Sequence, residues 1–282
     1  MSDPVSINGS TTVSNGNAAA PPQIELLSAW FCPYAQRAWI ALEEKKCAGG
    51  LDDSSIEQFQ FTVTEATTRS DTTFTKSALL LEKNPKALVP VILDRRFDEE
   101  VVVCESLICV EYVDEALGNE PTGIINGSSK RKQQPSSKLL PGPPSQRAHA
   151  RMWVDKLNHE ICGSFYSLLL QQHKAGQDMA AQKLMGGIRA FSRRCQGPYF
   201  YGEQFSMVDI AIAPWVAGIR MDVVRHYRNF EVPREEEEYE KYWEWKEAVE
   251  NRRCFVNTAC TDLDAMLSLY RPYAEGRGYS SR

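Results

Sequence analysis

The chain is short of histidine, of basic residues and of long apolar runs, and each shortage removes a class of function. Its four histidines stand at no metal-ligand spacing with the cysteines, so no metal site is read. Lys and Arg number 32 against 37 Asp and Glu, a formal charge of −5. That sign is wrong for a nucleic-acid groove and for an anionic membrane surface. No apolar stretch nears the roughly 18 residues of a spanning helix. Residues 1–22, MSDPVSINGSTTVSNGNAAAPP, have neither the basic nor the apolar region of a secretory signal, and their Ser, Asn, Gly and Ala content supports no core. They are read as a disordered tail. What the chain does hold is 43% apolar residues, enough for a core in its 282, and eight cysteines. In a chain of this length without a signal, free thiols in a reducing, cytoplasmic setting are expected in place of a disulfide framework.

QIELLSAW, bounded by Pro22 and Pro33, reads as a buried strand. CPYAQRAWIALEEKK follows with Ala35, Ala38, Trp39 and Leu42 on one helical face, closed by Gly49 and Gly50. IEQFQFTVTEA alternates Phe59, Phe61 and Val63 as a strand does. TTRSDTT reads as loop and FTKSALLLEKNP as a short helix ended by Asn84 and Pro85. ALVPVILD and EEVVVCE form a hairpin, and SLICVEYVDEAL a helix with Ile108, Val110, Tyr112, Val113 and Leu117 facing inward. The order β-α-β-α-β-β-α over residues 23–118 predicts an α/β domain with a small sheet. Residues 119–146, rich in Gly, Pro and Ser, read as an extended linker. Residues 147–273 show only helical spacing and are expected to form an all-helical second domain, with 274–282 a tail.

The thiol at the first strand–helix junction points to chemistry. Pro33 suits the first helical position, which puts Cys32 at the N-cap, among free N–H groups and the positive helix end. Both favour thiolate, so a depressed pKa and a nucleophilic sulfur are expected; the competing explanation is a core cysteine that precedes a proline. Ala35 stands where a Cys-x-x-Cys motif has its resolving thiol, so a mixed disulfide on Cys32 would need an external thiol. At Val89-Pro90, a bend with a cis peptide would open the Val89 N–H and C=O to an extended peptide; alternatively the proline simply opens an edge strand. Glu105-Ser106, at a strand–helix turn, offers carboxylate, hydroxyl and free amides to an amino acid's charged ends, or else only caps the helix. In GEQFSMVDIAIAPW, Ser206 and Asp209 have the spacing of a capping box. A thiolate, a peptide edge and an amino-acid clamp together suit a γ-glutamyl-cysteinyl-glycine tripeptide.

FCPYAQRAWIALEEK, NPKALVPVIL and ESLICVEYVDEAL resemble the glutathione transferase superfamily over about 24–118, in particular its omega class and cysteine-type relatives. The resemblance implies a thioredoxin-like N-terminal domain with a mixed four-stranded sheet and an all-α C-terminal domain. It implies that Cys32 is the catalytic thiol and that Val89, with Pro90 cis, holds the cysteinyl backbone of glutathione. Glu105 and Ser106 would hold the γ-glutamyl end, Lys76 the glycyl carboxylate, and Tyr34 would wall the thiol. EATTRSDTTFT, ahead of Lys76, is longer than the family's loop, as is the linker. The implied activity is glutathione-dependent thiol transfer and reduction, acting on mixed disulfides, dehydroascorbate or S-glutathionyl ketone adducts. Glutathione is the co-substrate, no metal is required, and a homodimer is the expected assembly. A glutathionyl-hydroquinone reductase and a non-catalytic binding or regulatory protein of the same fold are the alternatives. Trp153, Tyr166 and Trp215 are candidates for the second-substrate pocket, with core packing the competing explanation for each.

Overall fold

The computed structural model describes residues 23–48, 62–70, 73–117, 138–140 and 142–277. The readings at residues 1–22, Gly49-Gly50, Phe59, Phe61, most of the linker and 278–282 lie outside the described residues. In chain order the first half runs β1 (Ile24–Ser28), α1 (Pro33–Ala48), β2 (Thr62–Glu65), β3 (Thr67–Ser70), β4 (Thr73–Lys76), α2 (Ala78–Lys83), β5 (Val91–Asp94), β6 (Val101–Cys104) and α3 (Ser106–Ala116). β1 and β5 are buried at every position, which is what central strands covered on both faces require. The mixed four-stranded sheet has the order β2-β1-β5-β6, with β1 parallel to β2 and antiparallel to β5. This is the thioredoxin-like arrangement expected.

The structure adds a hairpin, β3–β4, with Thr67 opposite Lys76. Sequence reading placed a loop and the start of a helix there. Thr67, Thr68, Thr73 and Thr75 are β-branched and favour extended backbone, and Ser77 then caps α2, its hydroxyl accepting the Leu80 N–H at 3.1 Å. Ile108, read as inward, is exposed; Cys109, Val110 and Val113 form the buried stripe of α3.

The second half is α4 (Pro144–Leu157), a π-turn at Asn158–Cys162, α5 (Gly163–Leu170), α6 (Lys174–Arg194), α7 (Met207–Val216), α8 (Arg220–Arg228), α9 (Glu240–Glu250), α10 (Arg253–Val256) and α11 (Leu263–Ala274). α4 begins inside the stretch read as linker, because Pro144 serves its first turn. α7 is buried at all its positions and centres this half. Its capping box is formed as expected: Asp209 accepts the Ser206 N–H and hydroxyl at 2.8 and 2.7 Å. The other Asp209 oxygen takes the Phe200 N–H at 2.8 Å and the Trp245 indole N–H at 2.9 Å.

α1 belongs to both halves. It packs on α3 within the first and on α7 and α10 of the second. Lys45 near its end pairs with buried Asp114 of α3 at 2.7 Å. The same carboxylate accepts the N–H groups of Leu139 and Leu140, which fastens the segment leading into the helical half. Among the described residues no helix is long and apolar enough to cross a membrane, and all eight cysteines are free.

Candidate active site

β1 ends where β5 starts and where β6 ends. The register pairs Leu27 with Val91 and Val91 with Cys104, so Cys32 beyond β1, Val89-Pro90 ahead of β5 and Glu105-Ser106 after β6 emerge at one end of the sheet. On the β2 side, the Ala66 N–H donates to the Ser28 carbonyl at 2.8 Å and the Ser77 N–H to the Ala66 carbonyl at 2.9 Å. Those bonds close the base of the added hairpin and carry Lys76 to the same end.

The turn at Cys32 is set by the main chain. Its N–H donates to the Ala29 carbonyl at 2.9 Å, and its carbonyl accepts the Gln36 N–H at 3.0 Å, opening α1. Removal from water pushes the Cys32 thiol above its ordinary value of 9.0. That outweighs the N–H groups of Ala35 and Tyr34, which hydrogen-bond the sulfur, and the positive charges of Arg220 and Arg37, all of which favour thiolate. The depressed pKa expected from the helix end is therefore not what the site provides; burial is the stronger influence.

The Val89-Pro90 peptide is cis, and the β5 ladder begins only at Val91, leaving Val89 outside it. Asn84 shapes the loop that delivers it, its amide donating to the Leu88 carbonyl at 2.7 Å and its oxygen accepting the Lys86 N–H at 3.0 Å. Glu105 has φ 70° and ψ 119°, a conformation rare outside glycine, and its side chain makes no capping bond. Plain helix capping is thus not its role. Its carboxylate points outward and meets Lys86 at 2.7 Å. Strained backbone of this kind clusters at ligand sites. The Ser106 hydroxyl accepts from Arg37 Nη1 at 3.2 Å, which leaves its own hydrogen for a ligand.

Tyr34 is partly exposed and stands edge-on to Trp215, with ring centroids 4.9 Å apart. Tyr166 packs near Tyr270 and Tyr273, at 6.5 and 5.5 Å. Burial pushes its hydroxyl up, with Tyr270, Tyr34 and Cys32 close enough to add to the effect. Tyr166, Tyr34 and Cys32 therefore share one region. Two of the pocket candidates fall elsewhere. Trp153 donates to His149 Nε2 at 3.2 Å and packs on Phe200 at 5.3 Å, inside the helical half, because that face of α4 meets Phe200 and Tyr201. Trp215 is fully buried and backs Tyr34 without being a wall itself. Two cavities, of about 470 and 740 Å³, lie beside α8–α9 and beside the far end of α1; Cys32 lines neither.

Sequence reading missed Arg37, Arg220, Lys86, Tyr270 and Tyr273. For Arg37 a signal was there: a charge in the second turn of a helix whose neighbouring positions are almost all apolar.

The model of the glutathione S-transferase N-terminal domain matches residues 31–116, and that of the C-terminal domain matches 148–248. The crystal structure of glutathione transferase Omega 3C from Trametes versicolor is 30% identical, with a TM-score of 0.66, over 86% of this chain and 91% of that one. Rice GST1 in complex with glutathione shares the fold at 22% identity, with a TM-score of 0.65 over 93% and 100% of the two chains. Glutathione S-transferase U12 of Arabidopsis thaliana is 27% identical over 215 residues, 74% of this chain and 70% of the relative. Glutathione S-transferase omega-1 of Rattus norvegicus is 24% identical over 217 residues, 74% of this chain and 75% of the relative.

Proposed function

The chain belongs to the glutathione S-transferase family and is a glutathione-using enzyme, and from that premise we propose that it is an omega-like member which reduces glutathione mixed disulfides through Cys32. The observation that supports this reading is the gathering of a cysteine, a cis Val89-Pro90 edge and the Glu105-Ser106 pair at one end of the sheet. Glutathione lies extended against Val89, its γ-glutamyl end at Glu105 and Ser106 and its glycyl carboxylate toward Lys76.

The Cys32 thiolate attacks the glutathionyl sulfur of a mixed disulfide. A bond forms between the two sulfurs, and the other sulfur leaves as a thiolate that takes a proton from water. With Ala35 in place of a resolving cysteine, a second glutathione thiolate attacks the mixed disulfide, releasing oxidised glutathione and restoring Cys32. An S-glutathionyl ketone follows the same course, its carbon leaving as an enolate that is then protonated. Tyr34 and Tyr166 face the second substrate. Eight free cysteines fit a reducing, cytoplasmic setting, and the enzyme works as a homodimer.

Reduction of 2-hydroxyethyl disulfide by glutathione tests the reading. Cys32→Ser should lose about 100-fold or more in rate. Oxidised glutathione should add one glutathionyl group to the intact protein, on Cys32. Equal rates for the two proteins would instead support a binding protein of this fold.

A further inference from the structure

Two arginines are buried at the boundary between the halves, and among the described residues neither meets a carboxylate. Arg37 of α1 is 1% exposed. It donates to the Ala211 carbonyl through Nε and Nη2 at 3.0 and 2.6 Å, to Ser106 Oγ at 3.2 Å, to Asn158 Oδ1 at 2.8 Å and to Cys162 Sγ at 3.4 Å. Arg220 of α8 is 3% exposed. It donates to Tyr270 Oη at 3.2 Å, Gln36 Oε1 at 2.8 Å, the Pro214 carbonyl at 2.9 Å and the Phe31 carbonyl at 2.9 Å. Every acceptor is neutral. A guanidinium stays charged in a protein, and a buried charge is ordinarily paired. Arg252, by contrast, takes Glu44.

The two unneutralised charges border one group. The Phe31 carbonyl that Arg220 holds immediately precedes Cys32, and Arg37 lies in the second turn of the helix that Cys32 begins. We infer that Arg37 and Arg220 are positioning residues for the reaction at Cys32: the anions that the chemistry requires there, the Cys32 thiolate and the glutathione thiolate that later displaces it, serve as their counter-ions. The inference rests on Cys32 being the nucleophile. Both charges pull the thiol down against burial. Other titratable groups surround this sulfur. Tyr34 on the same helix and Tyr166 of α5 are phenols that burial keeps neutral. Cys162 is held up to about 11 by burial. Tyr270 of α11 accepts from Arg220, and Cys260 shares that arginine's field. Glu65 of β2 reaches this turn through the Trp30 N–H, at 3.1 Å, and desolvation pushes its carboxyl up to about 7. The nucleophile thus belongs to the first half, while part of the field that ionises it comes from the second.

The test is the pH profile of Cys32 alkylation by iodoacetamide, a reaction that joins sulfur to carbon and expels iodide. Peptide mass spectrometry resolves Cys32 from the other cysteines. Gln36→Glu places a carboxylate on Arg220 with almost no change of shape, so the fold is retained. It should move the midpoint up, slow alkylation at pH 7 roughly tenfold and leave the high-pH plateau unchanged. Arg220→Gln and Arg37→Gln should do the same, and Arg220→Lys should stay within about twofold of the parent at pH 7. Profiles of Gln36→Glu and the two Gln variants that superimpose on the parent's would overturn the inference. So would a drop by one common factor at every pH, which marks a structural role. Unchanged disulfide reduction by Cys32→Ser would remove the catalytic reading alone, because the alkylation profile still reports whether the arginines act on the sulfur.

Discussion

Arg252 holds Glu44 through both arms of its guanidinium, Nε to one carboxylate oxygen at 2.8 Å and Nη2 to the other at 2.5 Å. The pair joins the end of α1 remote from Cys32 to the helical half. Arg252 also lies over the rings of Tyr199 and Phe205, at 4.9 and 4.5 Å. Loss of the carboxylate leaves a guanidinium three-quarters buried with no counter-charge from this partner. Glu44→Ala should therefore lower the unfolding free energy by about 3 kcal/mol in urea titration. A loss under about 0.5 kcal/mol would class the pair with surface ion pairs.

The pH dependence of Cys32 follows from its burial. Thiolate is the reactive form, and the thiol lies above 9.0 in the free protein. Below that value the alkylation rate of free enzyme should climb close to tenfold per pH unit through the neutral range, flattening only above pH 9. A plateau reached by pH 8 would contradict the burial assigned to the sulfur.

Glu105 separates stability from binding. Its positive φ is tolerated by glycine at no steric cost, so Glu105→Gly should stabilise the fold by about 1 kcal/mol in thermal or urea denaturation. The same change removes the carboxylate proposed to hold the γ-glutamyl ammonium, and the KM for glutathione should rise roughly tenfold. Gains in both stability and glutathione affinity would show that the conformation serves no ligand.

Much of this was written locally. Pro33 after an apolar strand marks the start of α1 and the place of Cys32, and LVPV and CES mark the two other corners of the site. Each is a junction legible within a few residues. What escaped was tertiary. Arg220 finds Gln36 and Phe31 at sequence separations of 184 and 189, so no window contains the contact. The thiol's upward shift comes from burial, which outweighs the local effect of the helix end. The β3–β4 hairpin lacks an apolar period. It is held from outside, by Phe74 against Phe31 at 5.1 Å and by Arg69 on the Ser268 carbonyl at 3.0 Å. Trp153 was misplaced because helical spacing shows that a face is apolar without showing which neighbour it meets.

Tyr166 tests the proposed substrate side. Removing its ring opens the region shared with Tyr34 and Cys32. Tyr166→Ala should raise KM for a bulky aromatic S-glutathionyl ketone about tenfold, while 2-hydroxyethyl disulfide, too small to reach that ring, keeps its KM within about twofold. Equal losses for the two substrates would place Tyr166 in the core.

On the chemistry proposed for Cys32, a helix that starts at the sulfur and finishes in the grip of the other half makes the molecule indivisible as a catalyst. An excised first half would keep every residue proposed to touch glutathione and still lack the cation on α8. On the same inference, a chimera that borrows its helical half from a relative would have to supply a cation at the same spot, whatever else it brings. Swapping partners between halves is open to this protein as a change of substrate only if that one charge travels with the graft.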